Sequence, residues 1–283
     1  MAALTVPKAF IWRRLHSLMG LWLVVFLSEH LLTHSQAALW LGQEGQGFVR
    51  MVNALHNLPY LEVVELTLLG IPLLIHLYWG VRYALTSKPN NGKTDGSTPS
   101  IPTPRNRAYS WQRITSWILL VCLIGHVVKF RFLDYPEELH SNGNSYYAVK
   151  ISSDPKLPQV AKRLDVLLYD ARLEASGALQ KLDLSSLKEN EVFAVSKEFG
   201  KATLLSVRDT FKNPFYIGVY MIFVFAACFH AFNGLWTFLL TWGWILKMSA
   251  QRAWTSIAVC LMALFIFLGL SAIWGSYWIN LGY

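Results

Sequence analysis

Cysteine is nearly absent from this chain. Only Cys122, Cys228 and Cys260 occur in 283 residues, and no two form a CxxC spacing. All three fall inside apolar runs, so neither a disulfide framework nor a cysteine-ligated zinc or iron-sulfur centre is indicated; they read as small packing residues. Charge is also scarce, with charged residues at 15% against 54% hydrophobic and a positive mean hydropathy. Such a balance describes an integral membrane protein. Acidic residues are the rarer sign, 17 against 25 Lys and Arg, for a net charge of +8. That excess is concentrated in a few connections, so no nucleic-acid partner is needed to explain it. A basic membrane face suits anionic lipid or an acidic protein partner instead.

What is present is a set of long apolar runs. Spanning the hydrocarbon takes roughly 20 residues, and five segments qualify: about 14–36, 60–83, 113–131, 214–243 and 254–280. Lys and Arg of short loops stay on the cytoplasmic side. The N-terminal segment carries Lys8, Arg13 and Arg14, the second connection Arg82, Lys88, Lys93, Arg105, Arg107 and Arg113, and the fourth Lys247 and Arg252. The first connection has only Arg50, so the N-terminus is expected inside and the C-terminus outside. Arg13-Arg14 ahead of the first run looks superficially like a targeting signal, but no convincing small-residue cleavage site follows, and the run reads as an uncleaved span.

The expected organisation is therefore 1–131, holding spans one to three with a cytoplasmic linker at 84–112; then an extracytoplasmic insertion, 132–213; then 214–283, holding spans four and five. The linker contains Pro89-Asn90-Asn91-Gly92 and other turn chemistry. The insertion alternates charges in sign and repeats apolar residues at helical spacing through Val160, Leu164, Leu167 and Leu168, which predicts a small folded cap. Runs at Tyr146 to Ile151 and Glu191 to Val195 read as a strand pair. Long loops cross regardless of charge, so its lysines are compatible with an outer location.

Four histidines, His30, His76, His126 and His230, each lie inside a different span. An imidazole in hydrocarbon is costly unless it faces the protein interior and finds a partner, and haem iron accepts two neutral imidazoles on opposite sides. Depths follow from about 1.5 Å of rise per residue. His30 lies 16 residues beyond Arg14 and His126 lies 13 past Arg113, both in outer halves; His76 is six before Arg82 and His230 is 16 past Pro214, both in inner halves. This pairs His30 with His126 at an outer haem and His76 with His230 at an inner one. The competing reading makes each histidine a core residue bonded to a neighbouring carbonyl or hydroxyl; four at matching depths favour haem. His16 and His30 share a helix face about 21 Å apart, but a two-ligand helix requires a second of its kind. His126 and His140 have the same spacing, yet Pro136 and the charged run Asp134, Glu137 and Glu138 place His140 outside the span. His34, one turn beyond His30, is a rival outer ligand, and His56 reads as an outer loop residue.

The string Arg13-Arg14-Leu15-His16-Ser17-Leu18-Met19-Gly20 with His30-Leu31 resembles the start of the di-haem cytochrome b membrane anchor of succinate dehydrogenases (succinate:quinone oxidoreductases) of the single-chain, five-helix type. Leu58-Pro59 through Glu65, Pro72 and His76 is similar to its later signatures. So are Gln112-Arg113-Ile114-Thr115 through His126, and Phe215-Tyr216 through His230 with Asn233-Gly234-Leu235-Trp236. The resemblance covers about 10–131 and 214–280 and implies an all-α, five-transmembrane-helix bundle binding two haems b. Its axial ligands would fall on His30, His76, His126 and His230. It further implies a flavoprotein subunit and an iron-sulfur subunit on the cytoplasmic face, electrons entering at the inner haem, and a quinone, usually menaquinone, reduced near the outer one. This chain has no flavin or cluster motif, so the dicarboxylate site would lie on another subunit, whether the complex oxidises succinate or reduces fumarate.

Within that reading Glu65 is the candidate for quinone proton transfer. It stands 11 residues before His76, close to three turns, and so about 16 Å nearer the outside on the same face; an interfacial or ion-paired carboxylate is the competing reading. Glu62 and Glu29 are weaker candidates. Arg13, Arg14, His16, Ser17 and Arg113 lie where inner-haem propionates would emerge, with plain interface anchoring as the alternative for the arginines. The chain departs from the family in its long outer segment and in His34. A di-haem anchor of hydrogenase or formate dehydrogenase type would change the partners, and a haem-free transporter would use the histidines as relays or polar glue.

Overall fold

The structure is a computed structural model that describes residues 6–38, 44–88, 90–141, 143–170, 182 and 184–278. It is mostly helical. Five of its helices are long and apolar enough to cross a membrane: Lys8–Ser35 (α1), Leu61–Thr86, Pro104–Leu133, Pro214–Thr241 (α8) and Met248–Trp278 (α9). The second combines α3 (Leu61–Glu65), a π-helical turn (Leu66–Gly70) and α4 (Ile71–Thr86); the third combines α5 (Pro104–Val127) with a π-helical turn at Val128–Leu133. The first and third begin earlier than their apolar runs. Hydrocarbon thickness sets the apolar length only, and a helix continues into water wherever Lys and Arg can stay solvated. The connection between the second and third spans correspondingly narrows from the expected 84–112 to 87–103.

The π turn in the second span has an identifiable cause. Pro72 has no N–H, so the Leu68 carbonyl lacks its usual donor four residues on. The Ile71 N–H reaches back five residues to the Leu66 carbonyl, and the Trp22 indole Nε1 donates to the Leu68 carbonyl from α1.

Two compact units make up the chain. The first comprises Met1–His30, Glu62–Val121 and Phe223–Ile266. Its apolar centre gathers Phe238, Leu239 and Ile245 against Leu21, Trp236 and Trp254. At the turn between α8 and α9 the Gln251 amide donates to the Leu246 carbonyl at 3.1 Å and accepts from Arg105 at 2.6 Å.

The second unit comprises Leu31–Leu61, Cys122–Ile222 and Phe267–Tyr283. It contains a four-stranded antiparallel sheet of β1 (Glu137–Ser141), β2 (Asn144–Ser152), β3 (Leu167–Tyr169) and β4 (Glu191–Ser196), in the order β1-β2-β4-β3. The strand pair read at Tyr146 to Ile151 and Glu191 to Val195 is the β2–β4 ladder, with Val149 opposite Ala194. Leu139, Ala148, Leu182, Phe193 and Val195 bury one sheet face. Helix α6 (Leu157–Leu164) buries Val160 and Leu164 as the helical spacing predicts, but Leu167 and Leu168 belong to β3. Asp165, left-handed at φ 53°, ends the helix, and pairing with β4 overrides the continued 3.6-residue pattern.

Helix α2 (Gln46–His56) lies where a simple loop was expected. It docks on α7 (Phe199–Thr210) through Asn53, whose Nδ2 donates to Glu198 Oε2 at 2.9 Å and whose Oδ1 accepts the Gly200 N–H at 2.7 Å. A Cβ on Gly200 would stand 2.7 Å from the Val49 carbonyl oxygen and 3.0 Å from its Cα, both backbone atoms that cannot rotate away. Gly200→Ala is therefore expected to push α2 off α7 and destabilise this unit by about 1–3 kcal/mol, read as a lower thermal midpoint for exchange of the α7 amides.

Farther along α7, Arg208 is buried and binds Asp154 in a fork, Nη1 to Oδ2 at 2.6 Å and Nη2 to Oδ1 at 3.1 Å. Lys212 bridges Asp154 and Asp209, each at 2.8 Å, and the Arg208 guanidinium lies over the Tyr277 ring at 4.6 Å.

Candidate functional site

The first unit brings His76 of α4 and His230 of α8 together, with ring centroids 6.2 Å apart and planes 85° to one another. Each ring directs Nδ1 at a backbone carbonyl on a neighbouring helix: His76 to that of His16 at 3.0 Å and His230 to that of Gln112 at 3.2 Å. A carbonyl only accepts, so these geometries assign the proton to Nδ1 in both rings and leave each Nε2 with a free lone pair. This is the tautomer of a metal-ligating imidazole with its other nitrogen hydrogen-bonded behind it. Thr115 Oγ1 lies 3.5 Å from His230 Nδ1, but its hydroxyl is directed at the Trp111 and Gln112 carbonyls, at 2.9 and 3.1 Å.

Among the described residues no group of three or more His, Cys, Asp or Glu side chains gathers to hold a bare metal ion. Two Nδ1-protonated imidazoles without a third side-chain ligand suit an iron whose in-plane donors come from a porphyrin. The surroundings fit that group. Arg14 Nη1 and His16 Nδ1, both on α1, are buried without a hydrogen-bond partner, and buried donors of this kind call for an anionic acceptor such as a haem propionate. The Arg14 guanidinium also lies over the Trp242 ring at 5.4 Å, and the His16 ring stacks on His76 at 4.1 Å with planes 9° apart. Of the other residues expected near propionates, Ser17 and Arg113 are half-buried, with Arg113 over the Tyr109 ring, whereas Arg13 is exposed.

Gly20 sets how closely α1 approaches α4. A Cβ there would stand 2.8 Å from His76 Cε1 and 3.1 Å from its Nδ1. A glycine within a helix weakens it, and here it leaves space for the imidazole. Gly20→Ala is expected to tilt His76 and lower the haem content at this site, while Gly218→Ala, at a position with nothing within 4 Å, leaves it unchanged; absorbance per mole of protein distinguishes the two.

His30, in the first unit, has the Phe26 ring stacked 5.6 Å away. His126, in the second, places Nδ1 3.1 Å from the Tyr220 hydroxyl and meets Phe130 edge-on. His34 packs edge-to-face on Phe48 at 5.2 Å. His56 closes α2 instead of lying in a loop, stacked on Phe199 at 3.9 Å and 3.3 Å from the Tyr147 hydroxyl. His140 sits on β1, beside Ser145.

Glu65 is half-buried at the end of α3, directly before the π turn. Glu29 is half-buried, and Glu62 is exposed.

Sequence reasoning did not single out Gln112 and Asn233, whose side chains join across α5 and α8, or Trp22. For Asn233, an amide side chain inside an apolar span was the available signal, because hydrocarbon offers it no other partner; Pro72 was the signal for a free carbonyl that Trp22 could meet.

No family model matches the chain, and no solved structure matches it significantly. It is similar to the succinate dehydrogenase cytochrome b558 subunit of Bacillus subtilis (strain 168), 25% identical over 268 residues that cover 94% of this chain and 96% of that protein. The resemblance to the cytochrome b anchor of succinate dehydrogenases thus extends over nearly the whole chain.

Proposed function

We propose that this chain is the membrane-anchor and electron-transfer subunit of a succinate:quinone oxidoreductase, carrying two bis-histidine haems b. The observation that carries this reading is the His76–His230 pair, both imidazoles turned to the iron-binding tautomer by backbone carbonyls. The end-to-end similarity to a succinate dehydrogenase cytochrome b558 subunit supports it independently.

His76 and His230 hold the inner haem, and His30 and His126 the outer one. When bound, the haems supply one-electron carriers between the iron-sulfur subunit and a quinone, of the menaquinone type that the resemblance implies. The chain's own side chains do the rest. Arg14 and His16 offer their unpartnered nitrogens to a propionate at the inner site, with Ser17 and Arg113 beside them and Arg13 anchoring the interface. Glu65 is the candidate to move a proton to reduced quinone near the outer face. The flavoprotein and iron-sulfur subunits dock on the cytoplasmic face, where the N-terminus and the basic connections lie, and the 132–213 segment covers the outer face.

A redox-titrated absorbance spectrum with haem quantification on the purified protein tests this. Two low-spin haems per chain are expected. A haem-free chain would overturn the proposal in favour of the transporter reading.

A further inference from the structure

Gln112 grips His230 at both of its hydrogen-bonding ends. Its side-chain Nε2 donates to the His230 backbone carbonyl at 2.9 Å, and its own backbone carbonyl accepts from His230 Nδ1 at 3.2 Å. Asn233, less than one turn beyond His230 on α8, donates from Nδ2 to Gln112 Oε1 at 2.7 Å. The three bonds form a closed set between α5 and α8.

We infer that Gln112, held by Asn233, is the positioning residue of the His230 haem ligand: it registers α5 against α8 so that the Gln112 carbonyl meets Nδ1, fixing the ring's tautomer and orientation. This rests on the reading of His230 as an axial ligand. A backbone acceptor behind Nδ1 makes the imidazole a stronger donor through Nε2, and a stronger donor favours ferric over ferrous iron. The clamp therefore lowers the potential of the haem that His230 holds as well as securing it. His76 has a matching acceptor in the His16 carbonyl.

The test uses the purified membrane complex with Gln112→Leu, which removes both side-chain bonds at similar volume, Asn233→Ala, which loosens Gln112 without touching the histidine, and His230→Ala as control. The readouts are the midpoint potential of each haem, the low-temperature EPR signal of the ferric low-spin centres, and haem transfer to an excess of a scavenging apoprotein. Gln112→Leu is expected to raise the midpoint potential of one haem only, to shift its EPR signal, and to weaken its retention by about 10- to 100-fold. Asn233→Ala should move the same haem in the same direction by less, and Gln112→Glu, which keeps the acceptor for Asn233, should restore part of the loss. Unchanged potential and EPR signal in Gln112→Leu and Asn233→Ala would overturn the inference; should Gln112→Leu fail to assemble, Asn233→Ala decides alone. Retention of both haems by His230→Ala would instead overturn the ligand reading on which it rests.

Discussion

His76→Ala and His230→Ala each remove the same haem, halving the haem content while the second haem keeps its spectrum, and both abolish quinone reduction by succinate in the assembled complex. The expectation follows from geometry in one compact unit, where the two ring centroids lie 6.2 Å apart and each Nδ1 meets a backbone carbonyl. His16 is stacked on His76 and presents its carbonyl, not its ring, to that residue's Nδ1. His16→Ala should therefore retain the haem with weakened binding. Haem quantification and spectral resolution of the two centres check this. Loss of different spectral components in the two variants would refute the pairing, and complete loss in His16→Ala would move the ligand. His30→Ala and His126→Ala should likewise share the loss of the other component.

Asp154→Asn loosens the second unit by about 3–5 kcal/mol, the usual cost of removing one partner from a buried ion pair. Arg208 is 1% exposed and has its guanidinium fork on that carboxylate, so the substitution strands a buried cation against Tyr277. Hydrogen exchange should report it in β2 and α7 while amides of the first unit keep their protection. The same pair sets a pH dependence. Burial works to raise the Asp154 carboxyl, but hydrogen bonds from Arg208 and Lys212, and their charges, outweigh it and hold the group well below the usual carboxylate range. A carboxyl whose folded value is depressed stabilises the fold fully above its unfolded value of about 3.9 and loses that contribution as pH falls further. Protection of β2 and α7 should accordingly decline with acid below about pH 4 in the parent protein, and Asp154→Asn should flatten that decline. Equal acid sensitivity in both would remove Asp154 as its source.

Much of this architecture is legible in the residues. Spans are dictated by hydrocarbon thickness, so runs of apolar residues located all five, and their polar flanks blurred only the ends. The short extended runs at Tyr146 to Ile151 and Glu191 to Val195 pointed to the β2–β4 ladder, whose one face is buried with Leu139 and Phe193. Helix α2 was harder to see. It is short, it follows a glycine-rich turn, and its stability comes from contacts with α7 that lie about 150 residues away in sequence.

Depth along a helix is a local quantity, fixed by a rise of about 1.5 Å per residue. The sequence alone therefore determined that the chain is apolar and five times membrane-spanning in character, and gave an expected depth for each histidine. Rotation about a helix axis and the choice of hydrogen-bond partner depend on neighbouring helices. Only the tertiary structure decided that His76 and His230 point Nδ1 at carbonyls of other helices, that Arg14 and His16 keep buried nitrogens unpartnered, and that Gln112 reaches Asn233. The π turn before Pro72 shows the same division: the proline is plain in the sequence, but the donor that meets the carbonyl it leaves without an N–H, Trp22, comes from another helix.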